Sequence, residues 1–370
     1  MTAKALGDIP DHRPLIPRDP PAVGLIGAGA IARSAHLPAY RAWGVPVVAV
    51  ASRDAADARA LAADFAITRV HSTVEELLAD PAVAVVDLAT GPRGRIDLIE
   101  AAVSAGKHVL AQKPLTIDEA DMPRLAEIVA GARARGLRLA VNQNARWAPA
   151  WRLATLLVRG GAIGEVVGIT HLHDKPLPPL ASTPFDAVPH MLLADYLVHW
   201  IDISRCWLEG ARVDAVWASE SRVPQQPASA CNPWNADVRF RTDRGATAVV
   251  RIVGDSRATG GGCPFWIHGT EGTLRGSVLR GSDQLELDRD GDVTTFAVEG
   301  QWFPDGFAGA MGELLSAVVS DREPENSLAH VLATARLGFA AVASAEEDGA
   351  PVHPHDLLLT RATSESVVTP

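Results

Sequence analysis

Between Val23 and about Asn144, short β-branched runs alternate with alanine-rich stretches of helical period, and this alternation restricts the possible folds more than any other feature of the chain. The apolar runs are Val23–Gly27, Pro46–Ser52, Val83–Ala89, His108–Gln112 and Leu137–Asn144, with a shorter one near Ile67–Val70. They are continuously apolar rather than alternating, as parallel strands covered on both faces must be. Segments such as DAADARALAADF and LIEAAVSAG supply the helices between them. The expectation is an α/β domain over residues 22–147, built on a doubly wound parallel sheet.

Beyond residue 150 the period changes. A helix (Ala150–Arg159) leads to the strand GEVVGITHLH, and a second helix is expected from about His190 to Leu208. Strands with period-two alternation follow: VDAVWASE, ADVRFRT, ATAVVRIV, PFWIHG, GTLRG and DVTTFAV. Two helices, near Phe307–Ser320 and Ser327–Glu347, close the chain. Residues 148–370 therefore read as an α+β domain with a large, mainly antiparallel open sheet, suited to substrate binding and self-association. Eight of the nine tryptophans stand at or beyond Trp147. A chain of 370 residues accommodates two or three such domains.

The first 21 residues contain five prolines and read as a flexible tail without the apolar core of a signal peptide. No uninterrupted apolar run reaches the ~18 residues of a membrane span. The three cysteines, Cys206, Cys231 and Cys263, form no CxxC pair, which suits a reducing cytoplasm. Net charge is −10, spread along the chain without a basic run, so neither nucleic acid nor a membrane is expected as a partner.

The first apolar run enters Gly27-Ala28-Gly29-Ala30-Ile31-Ala32, a G-x-G-x-x-A turn at the first strand–helix junction of the series. Its first glycine permits the tight turn and its second lets backbone approach a pyrophosphate, which would rest on the N–H groups around Ala30 and Ile31. This placement points to a Rossmann-type site for NAD(P). Ser52 and Arg53, ending the second strand, favour NADP because a guanidinium and a hydroxyl suit a 2′-phosphate. Asp54 keeps NAD open, since its carboxylate would suit a free ribose hydroxyl.

Two segments carry candidate chemistry. GKHVLAQKP (Gly106–Pro114) ends the fifth strand with Lys113 at its carboxyl edge, where open α/β sheets bind ligands. In HMLLADYLVHWIDISRCW, Asp195, His199 and Asp202 are spaced to line one face of a helix. A carboxylate beside an imidazole can make it a general base, although such a pair alone is ordinarily a capping or surface contact.

Together the glycine turn, Gly106–Pro114 and Asp195–Asp202 resemble the motifs of the Gfo/Idh/MocA family of oxidoreductases, in matching order and spacing. The resemblance implies hydride transfer between NAD(P) and a hydroxyl of a sugar, cyclitol or glycoside. It assigns His199 as proton acceptor, Lys113 as the donor to the reacting oxygen, and Asp195 to a neighbouring hydroxyl or to His199. It sets Thr90, Gln112, Lys113, Gln143 and Asn144 by the cofactor, with Asn144 and Trp147 toward the substrate. It also implies a homodimer or homotetramer. An alternative within the same family is a glycoside-cleaving enzyme with permanently bound NAD; a dinucleotide-dependent sensor without turnover is a third reading.

The chain departs from the family pattern at Gln112, where glutamate is usual, at Thr90-Gly91-Pro92, at Arg95, and at His190–Leu193, which replaces a glycine-rich approach. Of the remaining histidines, His171 and His173 share a strand face and read as substrate contact or polar surface rather than a metal pair. His353 and His355 read as loop, and His36 as a helix-surface residue near the cofactor turn.

Overall fold

The computed structural model describes residues 9–357 apart from 179, 255, 257–260 and 280. The chain divides into two compact units. The first comprises His12–Pro149 and Gly300–Ala333; the second takes Ala150–Glu299 and the chain from Thr334 onwards. The break after Pro149 lies two residues beyond the boundary expected from the sequence. Residues 300–333, with Trp302, fall with the first unit rather than the second.

In the first unit, β1 (Val23–Ile26), β2 (Val47–Ala51), β3 (Arg69–His71), β4 (Val85–Leu88), β5 (His108–Ala111) and β6 (Leu139–Val141) form one parallel sheet. Its order is β3-β2-β1-β4-β5-β6, the doubly wound order, whose direction reverses between β1 and β4. The connections are α1 (Leu37–Trp43), α2 (Ala55–Phe65), α3 (Val74–Ala79), α4 (Arg95–Ser104) and α5 (Met122–Ala134). Strands β1, β2, β4, β5 and β6 deliver Gly27, Ser52, Thr90, Gln112 and Gln143 to the same carboxyl edge. A late helix, α8 (Trp302–Val319), adds Phe307, Ala308, Met311, Leu314 and Leu315 to the core around Leu25, Leu37 and Tyr40. Of the expected tail, residues 1–8 lie outside the described residues. From His12 the segment joins this unit, and Ile16 packs against the same core instead of standing free.

The second unit opens with α6 (Pro149–Arg159), β7 (Val166–His173) and α7 (Val198–Trp207). Then follow β8 (Val213–Ser221), β9 (Asn235–Thr242), β10 (Thr247–Val253), β11 (Cys263–Gly269), β12 (Thr273–Val278), β13 (Gln284–Arg289) and β14 (Asp292–Phe296). Eight strands order as β14-β13-β12-β11-β7-β10-β9-β8, antiparallel except for the parallel pair β7–β10.

The register explains the alternation. Val216, Phe240, Ala248, Ile169, Ile267, Leu274 and Leu287 stand opposite one another across seven strands, and all are buried. The neighbouring row, on the other face, reads Trp217, Arg239, Val249, Thr170, Trp266, Arg275 and Glu286. None of these seven is buried. A one-residue slip would exchange the two rows, so burial fixes the register. Strand β13 was not anticipated: QLELDR shows only two apolar residues, yet Leu285 and Leu287 are the inward ones.

The final helix, α9 (Leu328–Glu346), is long and apolar enough to cross a membrane by length and composition. Two of its polar side chains are engaged within the protein: Thr334 Oγ1 donates to Asp202 Oδ1 at 2.6 Å, and Ser344 Oγ donates to the Ala350 carbonyl at 2.7 Å.

Candidate active site

The glycine turn is built as its residue types require. Gly27 has φ = +108°, and a Cβ there would lie 2.7 Å from the Ala89 carbonyl oxygen, so only glycine fits. At Gly29 nothing lies within 4 Å of the corresponding position, which leaves an open approach to the backbone. The following helix begins as a π-turn over Ala32–His36 before entering α1. Pro38 has no N–H to give to the carbonyl of Ser34 and would crowd it, and the wider turn relieves both. Ser52 is half-buried and Arg53 exposed. Asp54 is occupied as the N-cap of α2, its Oδ1 accepting from the N–H groups of Ala56 at 2.7 Å and Asp57 at 3.3 Å.

At the carboxyl ends of β4 and β6, the hydroxyl of Thr90 and both amide atoms of Gln143 are buried without a hydrogen-bond partner among the described residues. Buried polar atoms left unpaired are costly, and a ligand that pairs them recovers the loss. An open glycine cradle beside unpaired donor and acceptor groups fits a nicotinamide dinucleotide: Gly27–Ile31 would hold its pyrophosphate, and Thr90 and Gln143 its polar groups.

Lys113 follows β5 on a braced loop. Its backbone N–H donates to Gln112 Oε1 at 2.7 Å, and the buried Arg95 guanidinium donates to the carbonyls of both Pro114 and Thr90. The loops leaving β4 and β5 are thereby tied together by a residue that the sequence marked only as a departure. His36 is fully buried rather than on a helix surface, because the π-turn directs it inward against Asp87, Tyr40 and Gln112. Asn144 accepts from Trp302 Nε1 at 2.7 Å and donates to the Asn142 carbonyl at 3.3 Å. The Trp147 ring packs on Gly309, where a Cβ would approach it to 2.3 Å. Asn144 and Trp147 are both buried within the first unit.

Asp195 and His199 belong to the second unit. They do not share an unbroken α-helix: Asp195 lies in a π-turn (Leu192–Tyr196), closed by Leu197 N–H donating to the Leu192 carbonyl at 2.7 Å, and His199 in the first turn of α7. Such insertions recur at functional sites. Asp195 and His199 are both buried, at 5% and 7% exposure. Asp202, expected on the same face, is engaged by Thr334 of α9. His190, in the segment that replaces the glycine-rich approach, has φ = +50° and its Nδ1 2.6 Å from Glu220 Oε2.

His171 and His173 share a face, as their spacing required, but it is the core face. His171 is stacked on Trp207, and burial pushes its pKa down to about 3. His173 Nε2 lies 2.9 Å from the Tyr196 hydroxyl, and burial lowers its pKa to about 4. Both are neutral at pH 7, and neither forms polar surface. Among the described residues, no group of three or more His, Cys, Asp or Glu suits a metal ion. His353 lies in a loop, as expected, with Nδ1 2.7 Å from the Asp214 carbonyl.

A doubly wound parallel sheet with a glycine cradle, carried in one chain with an eight-stranded open sheet, defines a dinucleotide-dependent oxidoreductase. The chain belongs to the Gfo/Idh/MocA family: residues 22–143 match the model of the oxidoreductase family with NAD-binding Rossmann fold, and residues 151–275 match the family's C-terminal domain. It is 32% identical to the 1,5-anhydro-D-fructose reductase of Ensifer adhaerens over 256 residues, 68% of this chain and 74% of that protein. It is 30% identical to the D-apiose dehydrogenase of Paraburkholderia graminis over 279 residues, 74% of this chain and 71% of that protein. The fold is shared with an Agrobacterium radiobacter oxidoreductase solved in complex with NAD+, L-tartaric acid and magnesium. The TM-score is 0.76 at 21% identity, covering 92% of this chain and all of that one.

Proposed function

We propose that this oxidoreductase transfers hydride between NAD(P) and a secondary hydroxyl or ketone of a sugar, cyclitol or glycoside, with Lys113, Asp195 and His199 as its catalytic residues. The observation that carries the reading is the open glycine cradle beside the unpaired Thr90 hydroxyl and Gln143 amide, which fits a nicotinamide dinucleotide. The names of the curated relatives, which include inositol 2-dehydrogenases besides the two above, support a polyhydroxylated substrate.

When bound, the dinucleotide supplies the hydride acceptor. His199 accepts the proton of the substrate hydroxyl as the carbon–hydrogen bond is lost. The Lys113 ammonium binds that oxygen and stabilises the negative charge developing on it. Asp195 binds a neighbouring hydroxyl or holds the His199 ring. In the reverse direction His199 returns the proton to the alkoxide. Arg53 and Ser52 favour NADP, because Asp54 is already committed to capping α2. His173, whose Nε2 lies 2.9 Å from the Tyr196 hydroxyl, would bear on the substrate only through Tyr196.

The test is a screen of sugars, cyclitols and glycosides with both dinucleotides, followed by the His199→Asn variant. This variant should bind dinucleotide, lose at least ~10²-fold in kcat, and lose the rise of kcat/KM with pH in the oxidation direction. A variant that kept the wild-type pH profile would move the base elsewhere. Cofactor that co-purifies stoichiometrically, with no need for added dinucleotide, would favour the glycoside-cleaving alternative. Dinucleotide binding without turnover on any compound would favour a sensor.

A further inference from the structure

The first unit buries a row of polar groups that ends at Lys113. Asp87 on β4 and His36 on the π-turn both have no exposed surface. Asp87 Oδ2 lies 2.7 Å from His36 Nδ1 and accepts from the Tyr40 hydroxyl at 2.7 Å. Across the ring, His36 Nε2 faces the amide nitrogens of Gln112 at 3.0 Å and Asn142 at 3.4 Å. The other end of the Gln112 amide, Oε1, accepts from the Lys113 backbone N–H at 2.7 Å. The edge of the Phe307 ring closes the remaining side of the imidazole.

Counting donors leaves one arrangement. A backbone N–H can only donate, so the Gln112 atom beside Lys113 must be its oxygen, and the atom beside His36 must be its NH2. His36 Nε2 is therefore the acceptor nitrogen, and the ring proton sits on Nδ1, where it donates to Asp87. Every link from Lys113 through Gln112 and His36 to Asp87 then points the same way. Turning the amide over would set donor against donor at Lys113 in a buried place, where unmade hydrogen bonds are costly. A carboxylate at position 112 would instead call for a proton on Nε2.

We propose that Gln112 is a positioning residue for Lys113. Locked to His36 in its Nδ1-protonated form, it holds the Lys113 backbone at the end of β5 from inside the protein. The inference rests on the reading of Lys113 as the group that binds the reacting oxygen. It goes beyond that reading by assigning a role to Gln112, His36 and Asp87.

The test combines a tautomer measurement with kinetics. Protein labelled with 15N-histidine is examined at pH 7 by long-range 1H–15N correlation, the His36 signal being identified by its loss in His36→Gln. Wild-type His36 should carry its proton on Nδ1 alone, and Gln112→Glu should show Nε2 protonated. Gln112→Leu and Gln112→Glu should each lower kcat about tenfold, with KM for dinucleotide and substrate within about twofold of wild type, since a displaced catalytic group costs turnover first. A proton on Nε2 in the wild type overturns the lock whatever the activity. Unchanged kcat in Gln112→Leu overturns the positioning role. An inactive wild-type enzyme bearing the expected tautomer overturns the dehydrogenase reading instead.

Discussion

Arg53 and Asp54 adjoin at the end of β2 and are put to different uses. The sequence offered either as the reader of the ribose. In the folded chain Asp54 spends its carboxylate on the first turn of α2, while the Arg53 side chain stays exposed. A free guanidinium beside Ser52 suits a phosphate better than a bare hydroxyl, so Arg53→Ala should raise KM for NADP+ by about ten- to a hundredfold and leave NAD+ nearly unchanged. Steady-state kinetics with both cofactors decide the matter, and equal weakening of the two would remove Arg53 from cofactor choice. The distinguishing signal was in the sequence, since DAADARALAADF opens on Asp54, a preferred N-cap residue placed directly before a helix-forming run.

Secondary-structure elements carry the next layer of meaning. Two π-turns aim His36 and Asp195, and period counting alone predicts ordinary helices at both places. Strand β7 turns His171 and His173 to the core, where neutral imidazoles are favoured. In the unfolded chain each binds a proton near pH 6.5, whereas folded they resist protonation until about 3 and about 4. Their contribution to stability is therefore complete above pH 6.5 and declines as pH falls toward those values. Between pH 7 and pH 5 each should cost about 2 kcal/mol. Neither His171 nitrogen has a hydrogen-bond partner among the described residues, so His171→Phe removes the titration without breaking a bond. Urea unfolding at the two pH values should show a smaller acid loss in this variant. An identical loss would mean that other groups govern acid unfolding.

At the scale of the whole molecule, the outer face of the eight-stranded sheet sets Trp266 between Thr170 and Arg275, and Trp217 against the guanidinium groups of Arg239 and Arg241. The partly exposed Trp217, Val249 and Trp266 on this otherwise polar face favour self-association. We expect a homodimer or homotetramer by sedimentation velocity, shifted toward smaller species by Trp266→Glu; a wild-type monomer at micromolar concentration would refute this. The sequence by itself determined the two sheets, because burial on both faces or on one face is written into a period of a few residues. It also determined the cofactor turn, since the requirement for Gly27 is local, and the family, through motifs in fixed order. The tertiary structure alone decided that α8 returns to the first sheet. It also decided that His36 meets Asp87 from 51 positions away and that Asp202 meets Thr334 from 132. Asp87, a carboxylate inside the apolar run VAVVDLA, was the one signal of a buried polar network. Its partners could not be named from sequence, because hydrogen-bond satisfaction depends on which distant side chains the packed helices bring to it.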